Sequence, residues 1–233
     1  MKQYIPSFIT VANIVCGFLA IIIADLFVSS MLIIACLFLD FFDGAMARAL
    51  NAQSEMGKEL DSLADMVSFG IAPAYLYYTL SPVEGWMGYI PPIFIVAAGA
   101  LRLAKFNTLP SSKYFKGLAI PAMAYFMLGV LLAMHFESHF LMNAIGHYSV
   151  YFMIPLFMAY MMMSPLEMFS LKDANKGIAK NKWQLACFLQ FWVWLCIVPR
   201  LAIPISVLVY IVLAVVESSL RNSGNNPIAQ ESS

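Results

Sequence analysis

Two short stretches of this sequence place acids where acids are costly. The first reads DFFDGAMAR from Asp40 to Arg48, and the second reads GKELDSLAD from Gly57 to Asp65. Both lie at the ends of long apolar runs. A charge near the centre of a membrane helix costs roughly 2.5–3.5 kcal/mol on insertion scales. Asp40 and Asp43 are three apart and Asp61 and Asp65 four apart, so each pair lies on one helical face. The link from Arg48 to Gly57 is short, which makes the two helices antiparallel neighbours whose carboxylates converge. Two carboxylates about 5 Å apart repel by roughly 3 kcal/mol at an effective dielectric of about 20. Arg48 alone cannot neutralise four of them. Hard oxygen donors without His or Cys point to Mg²⁺, Mn²⁺ or Ca²⁺, and carboxylate-bound Mg²⁺ typically completes its shell with substrate phosphate oxygens. Gly44 and Gly57 let the backbone approach a bulky ligand.

Two other uses of intramembrane acids compete with this one. Polar glue between helices needs one or two polar groups, not four acids. A cation-transport path predicts acids spread through the membrane depth and broken helices, whereas here the acids lie towards one end of their spans.

The elements that position these acids follow from composition. Hydrophobic residues make up 62% of the 233 and charged residues 11%, against about 25% charged in soluble domains. Mean hydropathy is +0.80. The apolar residues come in runs near the 20 residues that a spanning helix needs, so the fold class is an all-α, polytopic transmembrane bundle. Eight spans are expected, at about 6–27, 30–50, 59–80, 88–109, 116–136, 147–164, 183–199 and 201–219. Turn chemistry separates them at Ser29-Ser30, Ser81-Pro82, Leu109 to Ser112, Pro199 and Pro204. Residues 1–164 read as the core and 165–182 as a basic loop with some attraction for anionic lipid. Residues 183–219 read as two additional helices, and 220–233 as a polar tail expected to be disordered.

With eight spans, one side holds Lys2, Arg48, Lys58, Arg102, Lys105, Lys113, Lys116, Lys172, Lys176, Lys180, Lys182 and Arg221, and the other only Arg200. Twelve against one predicts that this side, with both termini and the acids, is cytoplasmic in the cell (inner) membrane. The N-terminus has one Lys and then an apolar stretch too long for a signal-peptide core, so no cleavable signal is expected. Zero net charge offers nothing to nucleic acid. Cys16, Cys36, Cys187 and Cys196 lie in apolar runs and are expected as small buried hydrophobes. His135, His139 and His147 read as a solvated loop, lacking partners at metal-site spacing.

Asp40, Asp43, Gly44, Ala47, Arg48, Gly57, Asp61 and Asp65 fit D-x-x-D-G-x-x-A-R, eight residues, then G-x-x-x-D-x-x-x-D. In this the chain resembles the CDP-alcohol phosphotransferases. The resemblance implies a six-helix core, a homodimer and a two-metal centre of Mg²⁺ or Mn²⁺ on a CDP diphosphate. Asp40, Asp43 and Asp61 would be metal ligands. Asp65, also in the metal-binding set, would be the general base for the acceptor hydroxyl. Gly44, Arg48, Ser54 and Gly57 fall where the family contacts the CDP group.

Four further stretches resemble the bacterial and archaeal phosphatidylserine synthases within that family: YIPSFITVANIVCGF, LDSLADMVSFGIAPA (60–74), RLAKFN (102–107) and FKGLAIPAMA (115–124). The departures are Ser7 where Asn is common, Lys105 where Arg is usual, and Ala119 where Pro is usual. CDP-diacylglycerol and L-serine are the implied substrates, with membrane lipid as surroundings. A serine carboxylate needs a cation, and Arg102 and Lys105 lie at the right end of the fourth span, with Ser68 and Asn107 as further candidates for the pocket. Positive-inside flanking is the ordinary alternative for Lys105. Helix packing for Ser68 and a helix end for Asn107 are the corresponding alternatives. Glycerol 3-phosphate or an inositol phosphate are alternative acceptors, but they would call for more cationic groups than the chain has near its acids.

Overall fold

The computed structural model describes residues 4–50, 52, 54–108, 115–136, 139–168 and 182–224. Each expected span finds a helical segment. Helix α1 (Tyr4–Ile23) and helix α2 (Leu26–Ala49) form an antiparallel hairpin. The turn between them is tight. Ala24 takes a left-handed φ of 52°, and the Asp25 carboxylate accepts from the backbone N–H groups of Phe27 and Val28, which caps α2.

Residues 55–78 form a helical rod in three parts: α3 (Glu55–Asp65), a π-helical turn (Met66–Ile71) and α4 (Ala72–Tyr78). Pro73 accounts for the wide turn. It has no N–H to offer Phe69, and its ring would strike that carbonyl in an unbroken α-helix. Widening the turn relieves the clash, and the Ala72 N–H reaches back to the Val67 carbonyl. The π turn begins immediately after Asp65, at the kind of position where such turns mark sites. Its Ser68 crosses α1 at Gly17, where an added Cβ would lie 2.8 Å from Ser68 Cα.

A 3₁₀ turn (Trp86–Tyr89) leads into α5 (Ile90–Thr108), whose first turn accommodates Pro91 and Pro92 because the N–H groups there have no intrahelical partner. Helices α6 (Ile120–His135), α7 (His139–Gly146), α8 (Tyr148–Met163), α9 (Lys182–Ile197) and α10 (Ala202–Gly224) follow. Four helical stretches are long and apolar enough to cross a membrane by themselves: Pro6–Ile23, Leu26–Ala49, Trp86–Thr108 and Pro199–Leu220. Ile120–His135, Tyr148–Met163 and Leu185–Ile197 are shorter apolar helices. Large apolar side chains such as Phe8, Phe18, Ile22, Phe38 and Trp192 face outward, as a lipid solvent requires. The core lies between α5, α6, α8 and α10, around Phe69, Tyr77, Ile95, Met127, Tyr151 and Met162.

The structure corrects three expectations. The segment expected as a solvated histidine loop contains the short helix α7. His135 ends α6 against Phe27, with ring centroids 5.1 Å apart, and His147 precedes α8 as its cap residue. Helix α10 continues to Gly224, past the expected end at 219, because Glu217, Ser218 and Arg221 tolerate helix at a polar membrane edge. All four cysteines are free, but only Cys36 and Cys187 are buried, with Cys16 half-buried and Cys196 exposed. A two-residue antiparallel pair, β1 (Phe115–Lys116) with β2 (Glu167–Met168), ties the start of α6 to the end of α8. Gly117 follows it at φ +75°, with its N–H on the Leu166 carbonyl at 2.8 Å. The turn at 109–112, most of the basic loop and residues 225–233 of the tail lie outside the described residues.

Candidate active site

The α2 and α3 ends bring three of the four aspartates together. One carboxylate oxygen from each of Asp40, Asp61 and Asp65 lies within 4.8 Å of the other two, and all three residues are half-buried. At this separation each pair of charges repels by about 3 kcal/mol at an effective dielectric of about 20. A divalent cation held by hard oxygen donors answers that repulsion, and the donor set suits Mg²⁺ or Mn²⁺. The residues present therefore fit the implied metal.

Asp43, one turn along α2, is not one of the three within 4.8 Å. It is buried at 5% exposure, and the Thr10 hydroxyl of α1 lies 2.8 Å from its Oδ2. That hydroxyl also lies 3.0 Å from the Pro6 carbonyl. With one proton to give, it favours the nearer carboxylate oxygen. Thr10 thus holds a candidate site residue, a contact that sequence reasoning missed. The partners lie 33 residues apart, and no local spacing signals the contact.

The nucleotide-side candidates form two local pairs, one at the end of α2 and one at the start of α3. Arg48 is exposed in the last turn of α2, and its Nη1 folds back over Gly44, where an added Cβ would meet it at 3.5 Å. The Ser54 hydroxyl caps α3 by accepting from the Gly57 N–H at 3.0 Å. An added Cβ at Gly57 would lie 3.1 Å from that hydroxyl, so this glycine serves the cap. Helix α1 packs on both acid-bearing helices, α2 and α3.

The acceptor-side candidates separate. Arg102 is half-buried in α5, and Asp65 lies within electrostatic reach of it. Its Nε is buried without a hydrogen-bond partner among the described residues. Lys105 is exposed, as positive-inside flanking predicts. Ser68 is fully buried and donates to the Asn13 carbonyl at 3.0 Å, which makes it a packing group between α1 and the π turn. Asn107 Nδ2 donates to the Ser62 hydroxyl at 2.9 Å, fastening α5 to α3 beside Asp61.

Comparison with known proteins places the chain in a family. The family model for CDP-alcohol phosphatidyltransferase matches residues 3–164. The chain is 35% identical over 188 residues to the CDP-diacylglycerol–serine O-phosphatidyltransferase of Bacillus subtilis, covering 78% of this chain and 99% of that protein. It is 32% identical over 200 residues to the protein of the same name from Helicobacter pylori, covering 83% and 80%. The one from Methanocaldococcus jannaschii is 42% identical over 125 residues, covering 54% and 59%. With its acid-bearing helices, helical membrane architecture and these matches, the chain belongs to the CDP-alcohol phosphatidyltransferase family and is a transferase.

Proposed function

We propose that this protein transfers the phosphatidyl group of CDP-diacylglycerol to the hydroxyl of L-serine and releases CMP. The observation that carries this reading is the buried Nε of half-buried Arg102, without a partner among the described residues, on the helix that Asn107 fastens to α3 beside the carboxylate trio. A charged acid and a guanidinium with a buried, unpartnered Nε–H together suit an acceptor that carries both a hydroxyl and a carboxylate. A side-on carboxylate takes Nε and Nη as a two-pronged pair. Leaving a buried donor unpaired costs about 1–3 kcal/mol, which such a ligand would recover. The names of the similar proteins support the same acceptor.

In this reading Asp40, Asp43, Asp61 and Asp65 would hold two divalent ions, Mg²⁺ or Mn²⁺. Bound there, they would supply charge neutralisation for the diphosphate and the departing CMP. The chain's own residues do the rest. Arg48 and the backbone at Gly44 and Gly57 hold the CDP group. Arg102 fixes the serine carboxylate so that the hydroxyl lies in line with the β-phosphorus. The serine oxygen forms its bond to that phosphorus as the bridging bond to CMP breaks. The hydroxyl proton passes to the Asp65 carboxylate, and CMP leaves with the bonding pair.

A diacyl substrate suits the lipid-facing side of α2. Phe38, Phe41 and Phe42 are exposed beside Asp40 and Asp43. An apolar groove lined by Ile34, Leu37, Phe38 and Phe41, with Tyr125 and Leu128 of α6, extends from the same level. The distribution of basic residues supports an active site and termini on the cytoplasmic side of the inner membrane, and the family resemblance supports a homodimer.

The test is serine-dependent CMP release by purified wild-type and Arg102→Lys proteins. The variant should raise the serine KM about tenfold or more, because a lysine keeps the charge but loses the fork. The KM for CDP-diacylglycerol should hold. Equal effects on both substrates would remove Arg102 from the acceptor pocket.

A further inference from the structure

One buried amide lies level with the carboxylates and bonds to none of them. Asn13 of α1 is 1% exposed, and neither its Oδ1 nor its Nδ2 has a hydrogen-bond partner among the described residues. Three contacts fix its place. The Thr10 hydroxyl meets Asp43 Oδ2 at 2.8 Å. The Asn13 carbonyl accepts from Ser68 Oγ at 3.0 Å and from Cys36 Sγ at 3.4 Å. Helices α1 and α2 run antiparallel, so three residues on from Thr10 stands opposite three back from Asp43: Asn13 faces Asp40. A helical side chain leans towards the N-terminus of its own helix. The Asn13 amide therefore leans from the level of Cys36 back towards that of Asp43, and Asp40 lies between those two on α2.

Asp65 opens onto the same space. Ser68 of the π turn faces α1, its Cα 2.8 Å from a Cβ added at Gly17. Met66 faces α5, its Sδ 3.8 Å from a Cβ added at Gly99. At roughly 100° per helical residue, the direction of Asp65 falls between these two. It points into the gap between α1, which carries Asn13, and α5, which carries Arg102. An acceptor held at Asp65 thus has a helix on each side. In the reading above, Arg102 takes the serine carboxylate and Asp65 the hydroxyl proton, which leaves the ammonium to be bound. An ammonium has three donors and needs oxygen acceptors. We infer that Asn13 is an acceptor-binding residue whose amide Oδ1 receives the ammonium of L-serine. A neutral amide does so without adding a further negative charge to the acids. The buried amide costs about 1–3 kcal/mol while unpaired, and the ligand returns that cost. The inference rests on the reading of serine as acceptor. It gives α1 a part in telling an amino alcohol from glycerol 3-phosphate, which has no ammonium.

The experiment measures CMP release by the full chain and by Asn13→Ala, with Asn13→Val as the variant closer in size should alanine not fold. The serine KM should rise about tenfold or more, the scale of a hydrogen bond to a charged group. The KM for CDP-diacylglycerol should hold. The competitor 3-hydroxypropionate is serine with its ammonium replaced by hydrogen, so its Ki against serine should be the same in wild type and variant. A merely structural loss would weaken serine and this analogue together. An unchanged serine KM, equal rises for both substrates, or a Ki for 3-hydroxypropionate that rises as much as the serine KM would each overturn the role of Asn13 and leave serine as the acceptor. A wild type that releases no CMP with L-serine contradicts the serine reading itself, and the inference falls with it.

Discussion

Asp43 and Asp65 share a motif but not an environment, and their substitutions should fail in different ways. Asp43 is buried on the Thr10 hydroxyl, whereas Asp65 sits among Asp40, Asp61 and Arg102. Replacing Asp40, Asp43 or Asp61 with Asn should abolish turnover and weaken Mn²⁺ binding, measured by isothermal titration with the folded protein. Asp65→Asn should still bind CDP-diacylglycerol and lose at least about a hundredfold in kcat, the usual scale for a general base. Tight Mn²⁺ binding with near wild-type turnover in Asp61→Asn would refute the carboxylate centre. Thr10→Val should lower Mn²⁺ affinity or activity about tenfold or more, since outer partners orient first ligands. At this scale the acids could be read from sequence because their spacing matches one helical face. Thr10 could not, because its partner belongs to another helix.

Helices deliver these side chains only where they can approach one another. Gly17 is the tightest such point near the acids, with Ser68 of the π turn against it. Gly17→Ala should push α1 away from the segment that follows Asp65. It should cost about 1–3 kcal/mol, the range for overpacking, and lower activity along with the melting temperature. Gly146→Ala is the control, because an added Cβ there meets nothing within 4 Å. If both variants melt alike, the close approach of α1 to the π turn is not limiting. The helices themselves were legible, since each had to hide its backbone from lipid within an apolar run. The π turn was not, although Pro73 carried its cause, because hydropathy sees a continuous span. The β1–β2 pair was equally hidden: two residues per strand leave no periodicity to read.

Across the whole molecule, the chain is a polytopic helical bundle, and the sequence predicts eight spans with the basic residues on one side. Reporter fusions after Gly85 and Ser138 should lie outside the cytoplasm, and those after Ser112, Asn175 and Gly224 inside. A cytoplasmic reporter at Ser138 would contradict the eight-span topology. The helical membrane architecture was readable because apolar runs near spanning length recur along the chain. The short helix α7 and the extension of α10 to Gly224 were not, because neither needs a run of spanning length. The central claim concerns what this bundle makes. Purified protein, CDP-diacylglycerol and Mg²⁺ should carry labelled L-serine into the lipid phase, one label for each CMP released. Release of CMP with labelled glycerol 3-phosphate entering lipid, and none with serine, would contradict it.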